Sequence, residues 1–159
     1  MSIAKKVRAY LDKAGINYQL HTHTPSNNSL SSALQSHLTT SQIVKAVVLE
    51  DIQGDKLMAI LPASHKISLR ALNENFNRQF HIVKESHIYE LFDDCKHGAV
   101  PPIAQVYELD RVYDECLLLQ DSLYLEGGDH ATLIQLTQDE FRKLLPNAPI
   151  LRFSYRLFQ

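Results

Sequence analysis

The stretch IVKAVVLEDIQGDKLMAILP, residues 43–62, decides how the chain is read. From Ile43 to Leu49 the residues are β-branched and almost continuously apolar, the pattern of a strand covered on both faces. Asp51 to Asp55, with Gly54 inside it, reads as a turn, and Leu57 to Leu61 as a second apolar strand stopped by Pro62. Together they predict a hairpin. One residue breaks the pattern: Lys45 shares a strand face with Ile43, Val47 and Leu49, where an ammonium group is costly to desolvate. Such a lysine meets a carboxylate, snorkels at a strand end, or faces a cleft where it meets an anionic or carbonyl oxygen of a ligand.

Outward from this pair, helices and strands interleave. Towards the N-terminus, Ile3, Val7, Tyr10, Leu11 and Ala14 form a helical stripe, with Ser2 placed to cap it and Gly15 to end it. Tyr18 to His21 reads as a short strand, Thr22 to Ser29 as a loop, and Leu30, Ala33, Leu34, His37 and Leu38 as a second helix. On the other side, Ser68 caps a short helix carrying Leu69, Leu72 and Phe76. Phe80 to Val83 is strand-like, and Ile88, Leu91 and Phe92 form a brief helical face. Asp93 to Gln105 is a stiff loop, and strands are expected at Val106 to Leu109, Val112 to Leu119, Leu123 to Glu126 and Thr132 to Leu136. Thr137 and Glu140 form a capping box, with Leu136 and Phe141 as its hydrophobic staple, so a helix runs from Gln138 to Leu145. Beyond Pro146 and Pro149, Leu151, Phe153, Tyr155 and Leu157 alternate with polar residues, as an edge strand would.

Composition narrows the function. The chain has 159 residues, 45% of them hydrophobic, enough for one ordinary globular domain. Sixteen Lys plus Arg against eighteen Asp plus Glu leave a formal charge of −2, so any nucleic-acid contact is local rather than a general polycationic coat. No apolar run reaches the length of a membrane span and the first residues lack a signal-peptide core, which predicts a soluble, cytoplasmic protein with no membrane partner. Cys95 and Cys116 make neither a disulfide framework nor a zinc site by themselves. The pairs His21-x-His23 and Cys95-x-His97 are too closely spaced for the usual structural zinc patterns, so no metal is expected. P-loop, dinucleotide-binding, nucleophile-elbow and zinc-protease motifs are all missing, and no cofactor is expected.

Two further segments could carry chemistry. In Gly98-Ala99-Val100-Pro101-Pro102 the glycine permits close backbone approach and the prolines hold neighbouring peptide groups in fixed orientation, so backbone donors could cradle an oxygen; a plain rigid turn is the competing reading. In Glu126-Gly127-Gly128-Asp129-His130 the paired glycines place Asp129 and His130 at a strand junction, where His130 could donate a hydrogen bond or orient water, or simply be solvated. Lys5, Lys6, Arg8 and Lys13 on the first helix, and Arg142, Lys143, Arg152 and Arg156 near the end, are either solvated charge or phosphate contacts.

Four separated segments, VKAVVLED (44–51), LPA (61–63), FDDC-x-x-GAVPP (92–102) and LEGGDH (125–130), follow one pattern in order. With them the chain resembles the YbaK/prolyl-tRNA synthetase-associated domain family of aminoacyl-tRNA deacylases, from about the first helix to Leu145. The resemblance implies a mixed α/β (α+β) fold: a single domain over 1–146 with a bent mixed β-sheet flanked by helices, and a tail over 147–159 outside it. It implies a free-standing trans-editing enzyme that hydrolyses the ester of a mischarged tRNA carrying a small amino acid. It also maps a site onto this chain. Lys45 and the backbone of Gly98 and Ala99 would carry the chemistry, and Val100, Pro101, Pro102, Gly128, Asp129 and His130 would line the pocket. The partner implied is the aminoacylated 3′ end of tRNA, with an aminoacyl-tRNA synthetase as a further one. The alternative is a non-catalytic module of the same fold that senses an aminoacyl end, an amino acid or a partner protein.

Overall fold

The computed structural model describes residues 3–23 and 38–157. The Ser2 cap, most of the Thr22 to Ser29 loop and nearly all of the second helix expected from Leu30 lie outside the described residues. The chain runs α1 (Lys5–Lys13), β1 (Gln19–Thr22), β2 (Ile43–Asp51), β3 (Lys56–Pro62), β4 (His65–Ile67), α2 (Leu69–Phe76), β5 (Phe80–Ile82) and α3 (Glu85–Ile88). It continues through β6 (Asp110–Asp114), β7 (Ser122–Glu126), β8 (Thr132–Thr137), α4 (Gln138–Arg142), β9 (Ile150–Leu151) and β10 (Ser154–Arg156).

The hairpin forms as its sequence predicts: β2 and β3 pair antiparallel from Val44↔Pro62 to Glu50↔Lys56. Around it a mixed sheet assembles in the order β1-β8-β7-β2-β3-β6-β9. β2–β7, β3–β6 and β6–β9 are parallel, while β1–β8 and β7–β8 are antiparallel. β7 meets β2 only at Ile43 and Val44, and β5 takes over the same role at Leu49 to Asp51. Separately, β4 pairs with β10.

Both faces of the hairpin are covered, which explains its continuous apolar run. Val44, Val48, Met58 and Ile60 pack with Val7 and Leu11 of α1 and Phe141 of α4. On the opposite face, Leu49, Leu57, Ala59 and Leu61 pack with Leu72 of α2, Phe80 and Phe153. Ile43, Ala63 and Leu133 form a third, smaller cluster.

Local signals decide the helix ends. Ser68 Oγ accepts the Ala71 N–H, and Thr137 Oγ1 accepts that of Glu140. Glu140 does not return that bond, because its carboxylate instead accepts the Asn17 backbone N–H and side-chain amide and pairs with Lys143. α1 starts at Lys5 with Ala4 as its cap position; with no side-chain cap of its own there, the helix has its Lys6 N–H accepted by Asp94, 3.2 Å away.

Two strand expectations are corrected. The segment expected as a strand from Val106 to Leu109 is instead a 3₁₀ turn over Ala104–Tyr107, ended by Glu108 with φ +56°. The strand expected from Val112 to Leu119 stops at Asp114, whose carboxylate accepts the Cys116 N–H and turns the chain into a 3₁₀ helix over Glu115–Leu119. In both places the apolar spacing is met by a tighter helical period than alternation suggests.

Residues beyond Pro146 pack into this unit. β9 forms the edge of the main sheet, β10 lies on β4, and Phe153 between them is 1% exposed. Truncating this side chain removes a full aromatic ring from the face shared by β2 and β3, so Phe153→Ala should cost about 3–5 kcal/mol, read as a lowered urea midpoint in one cooperative transition. A change below about 0.5 kcal/mol, the range of an ordinary surface substitution, would mean that the end of the chain is not part of the core.

Candidate functional site

The loop after α3 and the turn between β7 and β8 are built against each other. The Lys96 N–H donates to Gly128 O over 2.8 Å, and His130 Nε2 lies 2.6 Å from His97 O. A carbonyl oxygen only accepts, so His130 carries a proton on Nε2. That bond fixes the His97–Gly98 peptide plane, and the imidazole packs on Gly98, where an added Cβ would lie 3.5 Å from His130 Cε1. Gly98 has φ +83°, a conformation that costs any other residue strain. His97 itself stacks on Tyr89, with ring centroids 3.6 Å apart.

The turn is held by a residue to which the sequence alone assigns no role. Glu126 Oε1 accepts three successive amides, from Gly128 (2.8 Å), Asp129 (3.2 Å) and His130 (3.1 Å). This concave run of N–H groups is a backbone anion nest filled by the chain's own carboxylate. Asp129 continues the arrangement by accepting the Ala131 and Thr132 N–H groups and the Thr132 hydroxyl. His130 is left at φ +62° with its ring turned onto Gly98. A carboxylate directly before two glycines was the available signal.

Within the loop the donors are sorted. Ala99 N–H closes a turn onto Lys96 O at 3.0 Å, so the Ala99 amide expected to meet a ligand is already used. The flanking Gly98 and Val100 N–H groups have no hydrogen-bond acceptor among the described residues. Ala99, Pro101 and Pro102 are buried, Val100 is half-buried and Gly98 is exposed. The loop therefore has a rigid backing and two free backbone donors on either side of Ala99.

Lys45 is half-buried on β2, and no carboxylate pairs with it among the described residues. Burial pulls its ammonium below the ordinary lysine value with nothing to offset it. Its neighbours Val44 and Ala46 face the α1 side of the sheet, so alternation puts Lys45 on the other face. The last β2–β7 pair, Val44↔Leu125, lies one residue before both Lys45 and Glu126, which brings the lysine's strand beside the start of the Glu126–His130 turn. No direct bond joins Lys45 to His130 or to the 98–102 loop among the described residues.

Other expectations resolve differently. Cys95 is half-buried between Asp94 and Tyr107 Oη, and burial pushes its thiol up to about 12, while Cys116 rises to about 11 for the same reason. Neither is a thiolate near neutral pH, so neither is poised as a nucleophile. No group of three metal-ligating side chains exists among the described residues. No described helix is long and apolar enough to cross a membrane. On α1, Lys6 pairs with Asp93, whereas Lys5, Arg8 and Lys13 are exposed. A cavity of about 800 Å³ lies between the Asp51–Asp55 turn and α2 and contains none of the expected site residues.

A family model described as an aminoacyl-tRNA editing domain matches residues 21–144. Among solved structures, a hypothetical protein is similar with a TM-score of 0.84 at 21% identity, covering 95% of this chain and 100% of that one. A protein described as a trans-editing enzyme for prolyl-tRNA synthetase is similar with a TM-score of 0.81 at 19% identity, with 96% of each chain covered. A protein from Marinobacter aquaeolei VT8 described as a signal transduction protein matches with a TM-score of 0.76 at 19% identity, covering 94% of this chain but 30% of its own. No curated protein matches.

The lowered Lys45 value carries a stability consequence. Between that value and the unfolded 10.5, the unfolded chain binds more protons than the folded one, so stability rises with pH through this window and the charged lysine is a cost below it. Lys45→Met should therefore unfold at the same temperature as the parent or higher at pH 7, measured by thermal denaturation. A clear drop would mean that the ammonium group holds the fold together.

Proposed function

Because the chain belongs to the aminoacyl-tRNA editing domain family, we propose that it acts free-standing, in trans, as a deacylase hydrolysing the ester of a tRNA mischarged with a small amino acid. The observation that carries this reading is the pair of unused backbone donors, Gly98 and Val100 N–H, on a loop pinned by His130. Donors that need no reorganisation are what an ester carbonyl requires as it becomes a tetrahedral oxyanion. Lys45 adds a desolvated positive charge with no ion pair among the described residues, and a charge left unpaired in a fold is one available to a ligand oxygen.

In the reaction, a water, or the neighbouring ribose hydroxyl of the terminal adenosine, attacks the carbonyl carbon. The negative charge collects on the carbonyl oxygen facing the Gly98 and Val100 amides and Lys45. Collapse breaks the bond to the ribose oxygen, which takes a proton. Attack by water releases the free amino acid directly; attack by the ribose hydroxyl moves the acyl group to that oxygen, from which water then removes it. An activated ester needs no covalent nucleophile, in keeping with two thiols that stay protonated. Ala99, Pro101 and Pro102 are buried beside the two donors, a rigid backing that favours a small side chain on the substrate. A single methylene is discriminated by only about 1–3 kcal/mol. The tRNA backbone would meet the exposed Lys5, Arg8 and Lys13, so binding should weaken as salt rises. The cytoplasm, where charged tRNA is used, is the compartment this reading requires.

The test is deacylation of a panel of small mischarged aminoacyl-tRNAs by the parent protein and by Lys45→Ala. The parent should turn over at least one of them, and Lys45→Ala should lose about 100-fold or more, comparable to loss of an oxyanion donor, with unchanged circular dichroism. Saturable binding of every tRNA without turnover by the folded parent would replace the enzyme with a binding module.

A further inference from the structure

Three segments far apart in sequence close a ring of bonds behind the candidate site, and one of them precedes the matched residues 21–144. Ala4 N–H donates to Gly127 O over 2.8 Å, and Lys96 N–H donates to Gly128 O over 2.8 Å. Two consecutive carbonyls of the glycine pair thus hold the start of α1 and the loop after α3. The third side is Asp94, whose Oδ2 accepts the Lys6 N–H at 3.2 Å. Lys6 lies in the first helical turn, where an amide has no acceptor within its own helix, so this carboxylate, 88 residues away, serves as the missing cap.

The ring is closely packed. Ile3 and Ala4 are buried, and a Cβ added at Gly128 would lie 3.1 Å from Cys95 Sγ and 3.2 Å from Ala4 Cβ, so a glycine is what lets both segments reach the turn. Asp94 is itself oriented: its Oδ1 accepts the Tyr107 hydroxyl at 3.1 Å, and the Tyr107 ring lies against Phe92 with centroids 4.3 Å apart. Lys6 also pairs with Asp93 at 3.0 Å, but both of those side chains are more than half exposed and add little.

From the ring to the donors the routes are short. The Lys96 carbonyl accepts the Ala99 N–H at 3.0 Å, the bond that leaves the Gly98 and Val100 amides free on either side. Gly128 lies two residues before His130, whose Nε2 proton holds His97 O. Both the 96–99 turn and the histidine that pins it are therefore referred to the glycine pair, and the glycine pair is located by Ala4.

We propose that Asp94 and the backbone of residues 4–6 are a positioning strap: by capping α1, the carboxylate keeps the loop and the turn in the one register in which the Gly98 and Val100 donors are presented together to a substrate oxygen. The strap acts through the loop and not by contact with the substrate. The inference rests on the deacylase reading for its effect on rate, but not for the three bonds acting as one unit.

Hydrogen exchange of the parent protein reads the ring without any substrate. The Ala4, Lys6 and Lys96 amides should exchange with one common free energy of opening, because their bonds open together; an Ala4 or Lys6 amide exchanging roughly tenfold or more faster than Lys96 overturns the proposal. For the rate, Asp94→Ala removes the acceptor of both Lys6 and Tyr107, whereas Asp94→Asn keeps a carbonyl oxygen for the Lys6 N–H and loses the charge. Asp94→Ala should lower kcat about 10- to 100-fold with KM unchanged, the scale of a misplaced reacting group, and Asp94→Asn should restore most of that loss. Equal losses in the two variants, or a loss confined to KM or to stability, overturn the positioning role. Tyr107→Phe leaves the cap in place and removes only the hydroxyl that aligns it, so a smaller fall in kcat is expected there whether or not Asp94→Ala folds, and an unchanged kcat overturns the role as well. Absence of deacylation by the parent on every charged tRNA would defeat the deacylase reading instead, while the exchange rates would still decide whether the three bonds act as one.

Discussion

The arrangement depends on β2, a strand that hydrogen-bonds to β3 along nearly its whole length and to β7 and β5 at its two ends. With side chains packed on both faces, almost nothing polar is tolerable in it. Glu50 and Asp51 close its far end in ion pairs with Lys56 and Arg78, whereas Lys45 is half-buried in its interior, without a carboxylate among the described residues, and lowered in basicity by burial. A charged group retained where an apolar one would stabilise is what a trade of stability for function looks like. The same strand aligns β7, so the start of the Glu126–His130 turn is set by the register at Val44↔Leu125.

From that turn the order passes through backbone. Glu126 organises three amides, His130 is thereby fixed, and its Nε2 proton fixes the His97 carbonyl and with it the 98–102 loop. Behind the loop, Asp94 ties Tyr107 to the start of α1. The loop is consequently preorganised by bonds to three other elements rather than by its two prolines alone, and preorganisation is what makes backbone donors effective toward a developing oxyanion.

Much of this was legible in the sequence where a single local rule governs. The 43–62 hairpin followed from apolar continuity and a glycine-containing turn, and the Ser68 and Thr137 caps from residue type and spacing. Lys45 stood out because it violated its strand's pattern. What was not legible depends on partners distant in sequence. Strand pattern alone carried Val112 to Leu119 past Asp114, because nothing local announces that its carboxylate turns the chain and bonds Phe153 and Ser154, 39 and 40 residues on. Ala99 looked like a donor because glycine and proline mark a shaped loop without saying which amide is already spent on Lys96. The mixed topology, with β7 and β5 sharing one side of β2, likewise needs contacts across about 30 residues to β5 and about 80 to β7.

The central claim is that unspent backbone donors beside Ala99 and the Lys45 ammonium meet one substrate oxygen. Its most direct test is an amide spectrum of the protein titrated with a non-hydrolysable amide analogue of a small aminoacyl-adenosine. The account predicts saturable shifts at the Gly98 and Val100 N–H groups, with a smaller response at Ala99, and their loss in Lys45→Met. Shifts confined to the cavity beside Asp51 and Arg78, with the 98–100 amides unmoved, would contradict it.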